Sequence, residues 1–377
     1  MTATTRAMIL GITAILIGLP MMSWATFLLH VVPDGHADFR ANYTAGYMLR
    51  TGQPLYNYTL EMEVQSRKIS PETVAAPFIH PAYEALLYVP LSLFSYLQAY
   101  WLWFALNLII LIYVYRLLRL HLIPLSAVAS WMPAATFAAF MPIGAAIVQG
   151  QDSVLLLLLL ALAFASFRYS EHLLVAGIFL GLAVFRFQII VPIVLCLSLW
   201  RRWRVMAGFS ISAFGAAALS IALAGFRPYL HTVMRLSLYP DVDYLQPVFR
   251  MPNLRGLIQS LGGGDWTIMV ASFTLLGITV VAGNRCDLQQ QLSLAVTVAA
   301  LVGYHEFVHD LSILFIPLAW LIGKKQQLSL LISAICFSTP SLLVFAPDYF
   351  YLTSLAVLAL FVFLATTSYG GADYSTI

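Results

Sequence analysis

Apolar runs of 13 to 25 residues, separated by short polar breaks, occupy most of this chain, and runs of that length and spacing predict helices that cross a lipid bilayer. They fall at about 8–32, 98–117, 125–147, 152–168, 172–185, 188–200, 205–225, 265–282, 290–304, 310–323, 327–346 and 349–367. The expected fold is an all-α polytopic membrane protein, a single transmembrane domain over residues 1–377 with about twelve transmembrane helices. Only 33–97 and 226–264 are long outer loops, and neither is large enough for a soluble catalytic domain. Any chemistry must then use these loops and the ends of the spans. Within the first loop, the segment after Asp38 is polar yet amphipathic, like a helix lying on the membrane. Pro81–Leu97 reads as a re-entrant or interfacial helix, because Glu84 and Pro90 oppose a full crossing.

Composition agrees: 61% hydrophobic and 9% charged residues exclude an ordinary soluble domain. Charge placement sets the orientation, since Lys and Arg accumulate in short cytoplasmic loops. With the N-terminus inside, Arg6, Arg116, Arg119, Arg168, Arg201, Arg202, Arg204, Arg285, Lys324 and Lys325 fall inside with only Glu171, Asp287 and Asp373. The inner loops then carry a net +7 and the outer ones −4. Both termini are expected in the cytoplasm, the chain in the cytoplasmic membrane, and the polar outer groups facing the periplasm or exterior. The first span exceeds a signal-peptide core and reads as an uncleaved anchor. No lipidation box is present, and Cys196, Cys286 and Cys336 offer no disulfide framework. No internal repeat is visible.

Asp38 stands six residues past the first span, a carboxylate at the membrane surface placed to act on a lipid-borne substrate. Segments 172–185 and 188–200 must go out and back on 14 and 13 residues. Each covers roughly 20 Å of the roughly 30 Å hydrocarbon core, so Arg186 and Gln188 at their junction should be submerged. A submerged arginine needs an anionic partner such as Asp152, head groups, or a phosphate group to bind. Near the end of 290–304, His305, Glu306, His309 and Asp310 crowd together. If helical, this segment puts His305 and His309 on one face, and His-Glu-x-x-His is also the pattern of an intramembrane zinc metalloprotease, with Asp265 or Asp348 as third ligand. Gln149 to Asp152, His80 and the loop bearing Arg227, His231, Arg235, Asp241, Asp243, Arg250, Asn253 and Arg255 are further candidates, though helix capping and lipid contact explain such residues equally. A secondary transporter or lipid flippase also uses broken spans with buried Arg, His and Asp, but the polar groups here crowd one face. A structural scaffold would not need so many costly ionisable groups.

Asp38-Phe39, Tyr43, Ala45-Gly46 and Gly52-Gln53-Pro54-Leu55-Tyr56, then His80-Pro81, Pro90-Leu91, Trp103 and Asn107, resemble the ordered motifs of glycosyltransferase family 87. Gly150-Gln151-Asp152, Phe185-Arg186-Phe187-Gln188 with Pro192 and Arg201 to Arg204, Asn253 to Leu257 and His309-Asp310 continue the series. The resemblance spans residues 35–325, with His80 replacing an aromatic residue and Arg186 a lysine. It implies a GT-C fold with juxtamembrane helices in the first outer loop and an inverting transfer of a sugar from a polyprenyl-phosphate donor to a hydroxyl of a lipid or glycan acceptor. Asp38 takes the place of the catalytic base. Arg186, Arg250 and Arg255 are the phosphate-binding candidates. His80, Asn42, Tyr43, Gln151, Asp152, Gln188, Asn253, His305, Glu306, His309 and Asp310 are the sugar- or acceptor-binding candidates. Mannosyltransferase-like glycolipid or cell-envelope biosynthesis is the implied setting. No metal, cofactor or nucleic acid is called for.

Overall fold

The computed structural model describes residues 3–72, 76–238 and 247–367. Asp241, Asp243, Asp373 and the C-terminal residues from 368, used above to orient the chain, lie outside the described residues. Every regular element among the described residues is helical. Six helical runs are long and apolar enough to cross a membrane, or seven if one bent pair is counted, against the dozen expected. Among the described residues the difference lies in four shorter apolar helices, Ser153–Ser166, Leu288–Val302, Asp310–Gly323 and Gln327–Leu342, and in the expected spans 172–185 and 188–200, which form the one run Leu173–Leu199.

The expected span 125–147 is replaced by two helices, Met132–Ala138 and Met141–Gln149, which meet at 50°. Pro142 cannot continue the first helix, because it has no N–H to give the Ala138 carbonyl, and it is tolerated where it stands, in the first turn of a new helix that starts after an extended Phe140. The restarted helix ends on Gly150, whose left-handed backbone lets Gln151 N–H bond back to the Ala146 carbonyl at 2.9 Å. This C-cap turns Gln151 and Asp152 out of the helix.

The 27-residue run Leu173–Leu199 is long enough to cross once, but the 3₁₀ turn Ala183–Arg186 folds it back on itself. Leu173–Leu182 lies parallel to Trp203–Ala224: Leu174 abuts Gly208, while Gly181 abuts Phe209, Ser212 and Ala213. Small residues allow this backbone contact, and Ser212 Oγ donates to the Ile178 carbonyl at 2.8 Å. Only Trp200–Arg202 separate Phe187–Leu199 from the parallel partner, so that half must run the opposite way. Arg186 therefore sits at one end of a hairpin and Trp200 at the other, where the Trp200 indole donates to the Val280 carbonyl at 2.9 Å.

Pro81–Leu97 forms no span. It is a chain of short turns, Ala82–Ala85, Leu86–Tyr88 and Leu91–Leu93, before the long helix Tyr96–Leu122 begins at a Ser95 capping box. The helix Phe39–Arg50 packs so closely on these turns that a side chain at Gly46 would meet the Tyr88 backbone. The helix Tyr58–Lys68 then pins the following strand-like stretch: Glu61 accepts the Tyr56 and Phe78 N–H groups at 3.2 and 3.1 Å, and Gln65 pairs with both backbone groups of Ala76. A six-ring cluster closes the unit, with Phe39 surrounded by Tyr43, Tyr88, Tyr96, Tyr100 and Trp103 at centroid distances of 5.9 to 6.4 Å.

Candidate active site

Asp38 occupies the N-cap position of Phe39–Arg50 but has helical dihedral angles and makes no capping bond. An N-cap aspartate ordinarily accepts from the second or third helical N–H. Here its carboxylate reaches across 113 residues of sequence to accept from Gln151 Nε2 at 2.7 Å. The same aromatic cluster fixes both partners. Tyr100 and Trp103 donate to the Val148 and Gly150 carbonyls at 2.6 and 3.0 Å, anchoring the helix end that presents Gln151, while Phe39 rests directly on Gly150.

Gln151 passes the contact on, its Oε1 accepting from Arg186 Nη2 at 2.7 Å. Arg186 also holds Asp152 Oδ1 through Nε at 2.8 Å and through Nη2, and its Nη1 lies 3.3 Å from Asp310 Oδ1. Every guanidinium nitrogen thus already faces an acceptor, and one cation stands between two carboxylates. Asp310 is completed by Ser153 Oγ at 2.9 Å, the Phe307 N–H at 3.0 Å and His309 Nε2 at 3.4 Å. On the other side, His80 Nδ1 lies 2.7 Å from Glu84 Oε2 and 3.0 Å from Asp152 Oδ2. Glu84 Oε1 accepts from Tyr88 OH at 3.3 Å, and Tyr88 OH accepts from Asn42 at 3.1 Å. One polar network therefore joins Asp38, Gln151, Arg186, Asp152, Asp310, His309, His80, Glu84, Tyr88 and Asn42.

The network lies at the shared ends of short helices. Ser153–Ser166 and Phe187–Leu199 begin at it with 14 and 13 residues, Leu288–Val302 stops just before it, and Asp310–Leu314 starts on it. Helices of that length cover roughly 20 Å, so the site is recessed by roughly 10 Å relative to a full span.

Electrostatics follow from this burial. Burial alone would lower the His80 pKa, but Glu84 and Asp152 outweigh it and raise it to about 9. Burial raises the Glu84 carboxyl, opposed by His80. His305 is pushed down to about 4 by burial, partly opposed by Asp310 and reinforced by Arg255, so it is neutral at neutral pH. Burial and Asp310 push the Glu306 carboxyl well above the ordinary range, and its Oε1 has no hydrogen-bond partner among the described residues.

Residues 303–309 are not helical, because Leu288–Val302 ends at Gly303. His305 and His309 consequently do not share a helix face, which removes the basis of the zinc-protease reading. Among the described residues the grouping with metal-ligand geometry is His80, Glu84 and Asp152 instead. Arg255 stacks on the Tyr304 ring at 4.0 Å and donates to the Tyr304 carbonyl at 3.2 Å; no carboxylate among the described residues pairs with it, and its Nε has no acceptor. Asn253 caps the Leu254–Ser260 helix and ties it to the Gly303 carbonyl at 2.7 Å. Tyr43 donates to the Phe94 carbonyl at 2.9 Å, and Arg250 pairs with Asp348 at the exposed rim. The Gln188 side chain is half-buried and has no hydrogen-bond partner among the described residues. The sequence reading assigned no site role to Glu84, Tyr88 and Ser153. Glu84 alone carried a signal, as a carboxylate four residues past His80 within an apolar segment.

The sequence model of glycosyltransferase family 87 matches residues 78–309, more than half of the chain. The chain belongs to glycosyltransferase family 87. No curated protein and no solved structure gave a match. The family 87 match takes in His80, Glu84, Gln151, Asp152, Arg186 and His309 and begins after Asp38. With its apolar helices, the protein is a membrane glycosyltransferase.

Proposed function

We propose that this glycosyltransferase moves a sugar from a polyprenyl-phosphate donor to an acceptor hydroxyl by a single inverting displacement, with Asp38 as general base. The observation that carries this reading is the release of Asp38 from helix capping and its fixation by Gln151 at 2.7 Å, in line with Arg186. Asp38 takes the proton of the acceptor hydroxyl as that oxygen bonds to the anomeric carbon, while the bond from that carbon to the donor phosphate breaks. A double displacement needs a second, free carboxylate as nucleophile. Asp152 and Asp310 are both tied to Arg186, which favours the single step.

Arg186 organises the network, since its nitrogens are all engaged. The departing lipid phosphate is assigned to Arg255, which lacks a carboxylate partner among the described residues, with neutral His305 as a hydrogen-bonding neighbour. His80, His309 and Asp310 position the sugar side of the site. Sidedness follows from charge: Arg201, Arg202 and Arg204 lie at the hairpin end opposite Arg186, so the positive-inside rule turns the network to the exterior.

The test is Asp38→Asn in purified protein given a polyprenyl-phosphate sugar and acceptor. Removing a general base should lower kcat by about 10²- to 10⁴-fold with donor binding retained. Wild-type turnover by this variant would eliminate Asp38 as the base.

A further inference from the structure

We infer that His80, Glu84 and Asp152 form a binding site for one divalent transition-metal ion of the Mn²⁺ to Zn²⁺ series. Their ligand atoms all lie within 4.8 Å of one another, and Glu84 and Asp152 are fully buried. Each carboxylate is arranged as a metal ligand with an outer partner. Asp152 Oδ1 is held by Arg186 Nε at 2.8 Å and Glu84 Oε1 by Tyr88 OH at 3.3 Å, leaving Oδ2 and Oε2 to converge on His80 Nδ1.

Asp152 Oδ2 is the independent observation. It is a buried carboxylate oxygen with no hydrogen-bond donor, aimed at that point of convergence. A single proton on His80 Nδ1 serves one oxygen at a time, here Glu84 Oε2 at 2.7 Å, and so leaves Oδ2 unsatisfied. A cation at the centre satisfies all three atoms together. Ligands bound at about 2.0–2.2 Å stand roughly 3.0–3.4 Å apart, so the observed contacts of 2.7 and 3.0 Å open by a few tenths of an ångström to admit it. One imidazole with two carboxylates suits Zn²⁺ or Mn²⁺ better than Ca²⁺ or Cu⁺. The His80 side chain is 14% exposed, which provides an entry path.

The full-length protein, purified in detergent and stripped with chelator, is dialysed against Mn²⁺ or Zn²⁺ and its metal content measured. The wild type should retain one equivalent, Glu84→Gln and His80→Ala should lose at least tenfold in affinity, and Glu306→Gln should retain it. Wild-type retention no greater than that of Glu84→Gln overturns the site, as does loss in Glu306→Gln with retention in Glu84→Gln. Should either ligand variant fail to fold, the Mn²⁺-loaded wild type decides alone. Electron spin-echo modulation from one directly bound imidazole nitrogen supports the site, and its absence refutes it.

Discussion

Gly150→Ala tests whether the aromatic cluster sets the position of Asp38. Gly150 has φ +65°, a region that costs an alanine about 1–2 kcal/mol. Its new Cβ would also sit 2.7 Å from Phe39 Cβ and 3.2 Å from Phe39 Cγ, and because Phe39 is enclosed by five rings, overpacking adds about 1–3 kcal/mol. The expected destabilisation is about 2–5 kcal/mol, read as a lowered thermal midpoint in detergent micelles. Gly52→Ala is the control, with φ +68° and open space around its Cβ, so it incurs the backbone term alone. The functional consequence separates the two. Displacing Phe39 shifts the adjacent Asp38 away from Gln151, so sugar transfer should fall at least tenfold in Gly150→Ala and stay near wild type in Gly52→Ala. Equal activities for the two variants would refute the positioning argument.

Glu61 predicts a pH dependence of stability. Burial raises its pKa from 4.5 to about 7, opposed by the N–H groups of Phe78 and Tyr56, so the folded chain keeps a proton that the unfolded chain releases. Its stabilising contribution is complete below pH 4.5 and is lost as pH rises through about 7, amounting to about 3 kcal/mol. Glu61→Gln should flatten the stability profile over that window, and thermal midpoints with an unchanged slope would contradict the assignment. At the rim, Arg250→Ala should change stability by less than about 1 kcal/mol and leave activity near wild type, because its pair with Asp348 is exposed. Arg255→Ala should raise the donor KM or lower kcat by tenfold or more; kinetics indistinguishable from Arg250→Ala would remove Arg255 from phosphate binding.

Much of the site could be read in sequence. Helix-length arithmetic submerged Arg186, and the parallel contact of Leu173–Leu182 with Trp203–Ala224 supports the hairpin it assumed. A carboxylate just past the first span marked Asp38, and Gly150-Gln151-Asp152 marked a turn between helices. The misplaced features had local signals that misled. His-Glu-x-x-His looks helical by spacing, yet Leu288–Val302 stops at Gly303 and frees the segment to cross the network. The apolar run at 125–147 looks continuous, yet Pro142 divides it.

By itself the sequence determined that the chain is an all-helical membrane protein and which ionisable residues stand between its apolar segments, because hydrophobic transfer and proline or glycine backbone limits are local properties. Only the tertiary structure decided who meets whom: Gln151 with Asp38, Arg186 with both Asp152 and Asp310, and His80 with Glu84 and Asp152. The reason is physical. A charge buried at helix ends must find a partner, and partners such as Asp152 for Arg186, 34 residues away, or Ser153 for Asp310, 157 residues away, are chosen by how the helices pack.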